Sequence, residues 1–255
     1  PISLAVSMQG YFILGAPVAH SGPTVLVGAN NLFYMRDEGA FVATPALDLN
    51  YVSLSLENAN ANSSRQLVPD RINDSAVVTM RGALMTLVGR DAMVASEKVL
   101  KVVLAEGQNT FDLVNGYGAI RSTTLVLGTL EQNPDATAVF NSVPSGLIGA
   151  TDRMSAGNGS ALLRNGILPW ANDRSGLLSY VATPGGEDMG FAPLGTPGFP
   201  NYDGTLFSAG GGGTLNFRIT GAPGAVPDVG GSLVAGTYVL NSLSLARTGA
   251  GQDLA

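Results

Sequence analysis

Two short strand patterns recur along this chain at a nearly constant spacing. In the first, runs of β-branched and leucine residues place Val78, Val102 and Val126 at equal intervals. A threonine-containing run follows each of them, with Thr86, Thr110 and Thr137 at nearly the same interval. Periods of roughly 20–50 residues are typical of repeat architectures. The sequence therefore predicts an all-β fold, a parallel β-helix (β-solenoid) with rungs of about 24 residues.

The composition favours β-structure with many turns. The 255 residues include 34 Gly and 14 Pro, and 45% are hydrophobic whereas only 13% are charged. Globular proteins average about a quarter charged residues, so this surface must be polar through Asn, Ser, Thr and Gly. Gly and Asn tolerate positive φ, which suits tight corners between strands. Because a solenoid adds its core one rung at a time, the apolar content is ample for such a fold.

Charge and residue content exclude several classes of function. The net charge is −6, so the basic patches that neutralise phosphates are missing and we expect no nucleic-acid partner. The absence of Cys excludes disulfides, thiolate metal sites and cysteine nucleophiles. No run reaches the roughly 20 apolar residues of a spanning helix, so we expect no membrane span. No P-loop or Rossmann glycine pattern occurs, and we expect neither a cofactor nor a metal.

The chain divides into four segments by pattern. They are an N-terminal strand segment (1–46), regular solenoid rungs (47–144), a Gly/Pro- and aromatic-rich excursion from the solenoid wall (145–212) and C-terminal rungs (213–255). Within the excursion we expect strands only at residues 161–163 and 177–181. The C-terminal rungs are indicated by matching units one period apart, at residues 213–217 and 236–240. No segment has a convincing helical period.

The first strand has a clear alternating pattern. Ile2, Leu4, Val6 and Met8 are separated by small polar or small apolar residues, which is the signature of a strand with one buried face. The ends of a solenoid carry unpaired strand edges that invite further strands. We therefore interpret these four residues as a candidate inter-subunit strand.

Aromatic residues crowd into the predicted excursion and form a candidate interaction surface. They are Trp170, Tyr180, Phe191, Phe199 and Tyr202. Exposed on a polar loop, such rings would bind sugars or proteins. The alternative, which we favour, is that they pack onto the solenoid and anchor an irregular loop.

Several of these stretches resemble the autotransporter-associated β-strand repeats of very large bacterial surface proteins, especially those of planctomycetes and their relatives. The resemblance covers roughly residues 47–255 and is carried by order and spacing. The matching stretches are residues 62–73, 77–89, 124–130, 165–171 with its Ile-Leu-Pro-Trp run, and 248–251.

This resemblance implies a parallel β-helix that is secreted or displayed on a bacterial surface, in a structural or adhesive role. It carries over no catalytic residues. It also implies that these 255 residues are a fraction of a longer chain whose membrane anchor lies elsewhere.

A polysaccharide-degrading β-helix enzyme is a more distant alternative. Glycoside hydrolysis needs two carboxylates about 5–10 Å apart, which adjacent rungs would supply. Candidates are Asp70 with Asp74, Asp91 with Asp112, which are separated by close to one period, and Glu106 with Glu131. The single histidine, His20, lies outside both patterns. We interpret these as corner and turn residues and assign no catalytic residue.

Three hypotheses on function follow, in order of preference. The first is a non-enzymatic extracellular structural or adhesive surface protein of a bacterium. The second is a self-assembling extracellular filament subunit joined by its N-terminal strand, and the third is the enzyme. The expected partners are other copies of the chain, neighbouring repeats of a longer chain, or surface polysaccharide.

Overall fold

The computed structural model describes residues 2–58, 67–90, 93–114, 122–143, 152–173, 176–182, 188–202, 216–220 and 242–246. Over these residues the protein is all-β, as the sequence predicts, with one 3₁₀ turn at Gly159–Leu162 and no α-helix. The strands are β1 (Leu4–Ser7), β2 (Tyr11–Leu14), β3 (Pro17–Val18), β4 (Thr24–Met35), β5 (Ala40–Phe41), β6 (Ala46–Glu57), β7 (Val77–Arg81), β8 (Leu84–Val88), β9 (Val94–Val114), β10 (Ser122–Gln132), β11 (Ala136–Val143), β12 (Asp152–Ala156), β13 (Ala171–Asp173), β14 (Gly176–Val181), β15 (Gly190–Pro193), β16 (Asn216–Thr220) and β17 (Ser242–Ala246).

Most strands pair in parallel with a strand from the next passage of the chain. In the first ladder, strands β1, β4, β6, β7, β9 and β10 follow one another. Its opposed residues are Leu4, Thr24, Leu47, Val78, Val102 and Leu130. Each turn of the chain therefore returns to the same ladder, one strand further along.

Two more ladders are built in the same way. The second ladder opposes, in succession, Phe12, Phe33, Leu54, Met85, Phe111 and Phe140. The third ladder is shorter and interrupted. It opposes Val18, Phe41 and Ile72 in its first part, and Ala95, Thr123 and Asp152 in its second. The chain passes through the first, second and third ladders in that order and then begins again.

The prediction of a constant period is wrong. In the first ladder, the interval from Leu47 to its partner Val78 is half as long again as that from Leu4 to Thr24. Val78 and Val102 are opposed as expected, but Val126 lies opposite Lys98. The connections between strands differ in length from turn to turn. The strands therefore return to the same three ladders, although the number of residues per turn varies.

The near-constant spacing of Thr86, Thr110 and Thr137 also predicts that these threonines stack on one another, and this prediction is wrong. Thr86 lies opposite Asp112, and Thr110 lies opposite Val139. Successive side chains of a strand point to opposite faces, and a shift by one residue would expose the whole buried set. The register is therefore fixed by inward apolar residues such as Met85 and Phe111, and not by similar outward ones.

The core lies between the three ladders and consists of inward side chains stacked from turn to turn. Along β10, Leu125, Leu127 and Leu130 are buried and the residues between them are not. In the second ladder the rings of Phe111 and Phe140 meet edge to face with centroids 5.3 Å apart. Cross-strand pairs contribute about 0.2–1 kcal/mol each, so many similar pairs together stabilise an elongated core.

The bend between the first and second ladders contains a residue with left-handed φ in three successive turns. Tyr51, Gly82 and Gly107 all have left-handed φ, at 52°, 54° and 68°. The amides of Gly82 and Gly107 each donate to a carbonyl of the following turn, at Glu106 and Asp135, over 3.0 Å. The backbone at these corners is thus hydrogen-bonded from one turn to the next, as the strands are.

The segment predicted as an excursion is partly built into the sheet. Strand β12 pairs in parallel with β10, and β13 with β11. The direction then changes, because β14 runs antiparallel to β13, and β15 antiparallel to β14. The predicted strand at residues 177–181 is confirmed, whereas residues 161 and 162 lie in the 3₁₀ turn.

At the C-terminal side, β16 and β17 pair in parallel in a sheet of two strands. The predicted units at residues 213–217 and 236–240 would place Phe217 opposite Leu240, but Phe217 lies opposite Leu243. All of the predicted unit at residues 236–240, and residues 213–215 of the other unit, lie outside the described residues.

The close approach of turns at Gly128 allows a direct test of the stacking. A Cβ atom on Gly128 would lie 2.2 Å from the Leu100 carbonyl oxygen, whereas one on Gly15 would meet nothing nearer than 3.8 Å. Neither has left-handed φ. We expect Gly128→Ala to lower the free energy of unfolding by about 1–3 kcal/mol, as overpacking does. Urea unfolding followed by circular dichroism measures this, with Gly15→Ala as the matched control; equal midpoints for the two variants would contradict the structure.

Candidate functional site: the N-terminal apolar edge

The N-terminal stretch that precedes Arg36 contains no charged side chain. Arg36 is the first Asp, Glu, Lys or Arg of the chain, and the only titratable side chains before it are Tyr11, His20 and Tyr34. This stretch builds strands β1, β2 and β3 and all of β4. The first turn of the fold therefore has an uncharged surface.

Strands β1 and β2 lie at the edge of the sheet. Within the described residues, each pairs with β4 on one side and with no strand on the other. The amides of Leu4 and Met8 donate to carbonyls of Pro23 and Val27 over 3.0 Å. Because N–H groups alternate in direction along a strand, those of Ala5 and Ser7 point to the free edge.

Large apolar side chains are exposed at this edge. Tyr11 is 72% exposed and Phe12 42% exposed. We call strands β1 and β2, with these side chains, the N-terminal apolar edge. Its exposed members are Tyr11, Phe12 and Ile13, and Ile2 before β1 and Val27 and Leu32 of β4 are exposed next to it.

Phe12 shows that the core itself is open at this end. It occupies the first inward position of the second ladder, and its ring stacks on that of Phe33 with centroids 5.0 Å apart. The ring of Phe12 covers Phe33, which is buried. Among the described residues, none covers the other face of Phe12 well enough to bury it, and Phe12 is 42% exposed. The column of inward side chains thus ends at a partly exposed ring.

The sequence prediction identifies part of this edge. The strand predicted from Ile2, Leu4, Val6 and Met8 is confirmed as β1, which spans Leu4–Ser7. Leu4 and Val6 pack partly buried against the core, Met8 is buried and Ile2 is exposed. Whether the strand joins subunits stays a prediction.

Sequence reasoning missed Tyr11, Phe12 and Ile13 as members of the edge. The signal was the absence of charge before Arg36. Edge strands are normally protected by charged residues, above all Lys, or by Pro. The described residues of β1 and β2 therefore lack the usual protection of an edge strand.

The opposite end of the core is closed by the predicted aromatic residues. Phe191 of β15 lies with its ring centroid 5.2 Å from that of Phe140, the last ring of the second ladder. The ring of Tyr180 in β14 lies 4.7 Å from Phe191. Both rings are buried. The antiparallel pair β14 and β15 therefore covers this end of the column.

Polar groups hold this closure in place. The Tyr180 hydroxyl lies 2.8 Å from the Ala156 carbonyl oxygen and 2.6 Å from the Asp188 carboxylate. Burial and the nearby Asp188 raise the pKa of Tyr180 well above its ordinary value. The Tyr202 hydroxyl oxygen accepts a hydrogen bond from the Leu177 amide over 3.2 Å.

The five predicted aromatic residues thus do not form one exposed surface. Tyr180, Phe191 and Phe199 are buried, and Trp170 and Tyr202 are partly buried. The interaction surface stays a prediction that concerns the accessible parts of Trp170 and Tyr202.

A second distinctive feature is a buried polar cluster around Arg71. Its side chain is fully buried, and its guanidinium donates to the carbonyls of Gly39, Glu57 and Asp37 over 2.6, 2.8 and 3.0 Å. It also donates to the Asn58 side-chain oxygen over 3.0 Å. Burial lowers the pKa of Arg71, and the acidic groups nearby oppose that change. The guanidinium thus ties together backbone groups of two successive turns.

Glu97 fills the interruption of the third ladder. Its two carboxyl oxygens accept hydrogen bonds from the amides of Arg71 and Ile72, each over 3.0 Å. These two amides have no strand of β9 opposite them, so the side chain replaces a strand partner. Burial raises the pKa of Glu97 to about 8, although the two amide bonds oppose the shift. We interpret this cluster as structural.

Three of the carboxylates considered for catalysis, Asp112, Glu131 and Glu106, each contact a side chain of another turn. Asp112 accepts a hydrogen bond from Asn141 over 2.9 Å, and Glu131 lies 2.7 Å from Lys101. Glu106 accepts one from the exposed Tyr51 hydroxyl over 3.1 Å. Asp91 lies outside the described residues. His20 lies 2.6 Å from the Thr24 hydroxyl through its Nε2 atom.

Within the described ranges, no three His, Cys, Asp or Glu side chains gather in a metal-binding group. No helix in the same part of the chain has the length and apolar character needed to cross a bilayer. Comparison of the chain with protein-family models, curated proteins and solved structures gave no match.

The pKa of Glu97 predicts how stability depends on pH. The folded chain keeps this proton up to about pH 8, whereas the unfolded chain releases it near the ordinary value of 4.5. The folded state therefore binds more protons in this window, and the free energy of unfolding falls as pH rises through it. Urea midpoints measured from pH 5 to 8 should decrease for the parent chain.

Glu97→Gln should flatten this decrease. Glu131→Gln makes the same chemical change at a carboxylate whose side chain is 55% exposed, and it serves as the matched control. A parent chain whose midpoint rises over the same range, or a Glu97→Gln variant with the same slope as the parent, would contradict the assignment.

Proposed function

We propose that this chain is a non-enzymatic β-solenoid protein with a structural or adhesive role on a bacterial cell surface. The observation that carries the proposal is the repeated passage through three parallel ladders in a fixed order. Such a chain lengthens along one axis as turns are added, and each turn contacts only its neighbours. This is the construction of a spacer or stalk.

The polar side chains of the described turns support a structural role. Asp112 and Asn141, and Lys101 and Glu131, each join strands that are neighbours in the stack. Arg81 of β7 forms an ion pair with Asp48 of the preceding turn. These carboxylates are used to connect turns, which leaves each of them engaged rather than presented in a pair to a substrate.

The resemblance to the autotransporter-associated β-strand repeats supports the location at the cell surface. That location is part of the proposal, as is the membership of the chain in a longer surface protein. Surface polysaccharide and neighbouring repeats are the partners that this role requires.

Removal of one complete turn tests the solenoid. Val102 lies opposite Leu130, so deletion of residues 102–129 would bring Leu130 opposite Val78 and Phe140 opposite Met85. We expect this shortened chain to keep a β-type circular dichroism spectrum and cooperative unfolding at a lower midpoint. Its matched control, deletion of residues 102–115, removes half a turn and should not fold. A full-turn deletion that unfolds like the half-turn deletion would contradict the proposal.

Labelling of intact cells tests the location. The Lys98 side chain is 58% exposed, so an amine reagent that does not cross membranes should modify it on whole cells that carry the native protein. Mass spectrometry of the Lys98 peptide gives the readout, and a cytoplasmic protein of the same cells serves as the control. Labelling of Lys98 that requires cell lysis would show that the chain is not displayed outside.

A second candidate function is a self-assembling filament subunit joined through its N-terminal strand. The observation that favours it is the N-terminal apolar edge, where β1 and β2 lack a partner among the described strands on one side and carry no charged residue. Strand addition to such an edge gains main-chain hydrogen bonds and covers alternate side chains.

A further inference from the structure

We propose that Tyr51 and the polar side chains beside it bind a neutral polysaccharide, with the exposed ring stacked on the C–H face of a sugar. The proposal rests on the adhesive role proposed above and specifies the place and the class of the ligand. The site lies at the bend between the first and second ladders, where β6 has described strands on both sides. It is therefore independent of where the described stack begins or ends.

The first argument is the backbone conformation of Tyr51. Among the described residues, three that are not glycine have left-handed φ, namely Asp37, Tyr51 and Asn165, and only Tyr51 is aromatic. A bulky residue with such a φ is strained, and glycines occupy the equivalent positions of the next two turns. Strain of this kind clusters at active sites and ligand-binding sites. The bend itself does not require a ring, so the strain points to a use for the Tyr51 side chain.

The second argument is that the Tyr51 ring is both exposed and held in place. The residue is 52% exposed. Its hydroxyl donates to the Glu106 carboxylate, two turns further along the stack, over 3.1 Å. A Cβ atom on Gly82, in the turn between them, would lie 2.7 Å from the Tyr51 Cε1 atom, so the ring occupies the space that this glycine leaves. The hydrogen bond to Glu106 raises the pKa of Tyr51, and the hydroxyl therefore stays protonated at neutral pH.

The third argument is a row of hydrogen-bonding groups beside the ring. Asn50, Arg81 and Glu106 are opposed in three successive turns, and each directly precedes the left-handed residue of its bend. The Arg81 guanidinium donates to the Asn50 side-chain oxygen over 3.2 Å and also to Asp48. The side chains of Arg81 and Asp48 are partly exposed. We call Asn50, Arg81 and Glu106 the polar row, and it presents an amide, a guanidinium and a carboxylate side by side.

The fourth argument concerns the class of ligand. Asp48 neutralises Arg81, and Glu106 adds a second carboxylate to the site. An anionic ligand would therefore be repelled, as like charges across an interface are. A purely apolar partner would cover the polar row without offering hydrogen bonds, which costs free energy. Sugar hydroxyls both donate and accept, so a neutral sugar satisfies all three groups of the row while its apolar C–H face covers the ring.

The fifth argument is that the site continues along the stack, which suits a polymer. At Gly82 and Gly107 the bend carries no side chain, and Gly107 is exposed. The polar row runs beside these glycines through three turns. Strands are spaced by about 4.8 Å, so the row spans about 10 Å, which is longer than one sugar ring. A linear polysaccharide that lies along the bend therefore meets the ring with one sugar and the row with its neighbours.

Affinity electrophoresis in native gels tests the site. The gels contain hydroxyethylcellulose, laminarin, xylan or mannan as neutral polymers, and we expect at least one of them to retard the parent chain. Tyr51→Gly should abolish this retardation. Because glycine occupies the same position in the next two turns, this variant should keep its fold, with a urea midpoint no lower than that of the parent chain. Tyr51→Phe keeps the ring and should keep the retardation.

Tyr11→Ala is the matched control for the loss of an exposed ring. Tyr11 is 72% exposed but lies on β2, outside the polar row. We expect this variant to be retarded as strongly as the parent chain. Gels with alginate, an anionic polysaccharide, and with polylysine, a cationic polypeptide, test the other classes of ligand, and we expect neither to act through Tyr51.

The outcomes separate the site from the wider role. Retardation by none of the neutral polymers, or equal retardation of the parent chain and Tyr51→Gly, would overturn the site. Retardation through Tyr51 by alginate or polylysine alone would overturn the class of ligand. A Tyr51→Phe variant that loses binding as fully as Tyr51→Gly, or a clearly lower urea midpoint of Tyr51→Gly, would overturn the role of the ring as a stacking surface. None of these results touches the structural role, which the full-turn deletion and the labelling of Lys98 test separately.

Discussion

In-register parallel pairing between neighbouring turns is the interaction on which the rest of this structure depends. Because Val78 faces Val102 and Met85 faces Phe111, inward side chains of one turn rest on inward side chains of the next. Other features of the structure depend on this register. They are the left-handed bends at Gly82 and Gly107, the close approach at Gly128 and the hydrogen bonds of the Arg71 and Glu97 side chains.

The sequence predicted the all-β fold and the strand character of most segments, because alternation of apolar residues is a local property. It did not predict the register. Val126 follows Val102 at the expected interval, yet Leu130 takes the inward position opposite Val102. Both Val126 and Leu130 are apolar residues of one strand that fit this position by pattern, and only the packing of the whole turn decides which of them occupies it. The connections, whose lengths differ from turn to turn, carry no periodic signal.

The candidate site was predictable in part for a related reason. Alternation identifies β1, but exposure of Phe12 depends on what lies beyond the first turn, which no local pattern encodes. The predicted aromatic residues show the converse. Tyr180 and Phe191 look like surface residues in a Gly/Pro-rich segment, yet an antiparallel reversal brings them over Phe140. The two ends of the described core differ because the chain reverses direction at β14 and β15 and covers Phe140, whereas no described strand pairs with the outer side of β1 and β2.

The buried guanidinium of Arg71 affects which part of the molecule opens locally. Turns at the end of a stack have one neighbour and open most readily, so amide exchange should be fastest in β1 and β2 and slow inward. Arg71 bonds to carbonyls of residues 37, 39 and 57, which belong to two successive turns. Separation of these turns would leave the buried, charged guanidinium of Arg71 without its hydrogen-bond acceptors. Local opening that starts at β1 and β2 therefore meets a free-energy barrier at Arg71. We expect the first turn to open by itself and the later turns to open together.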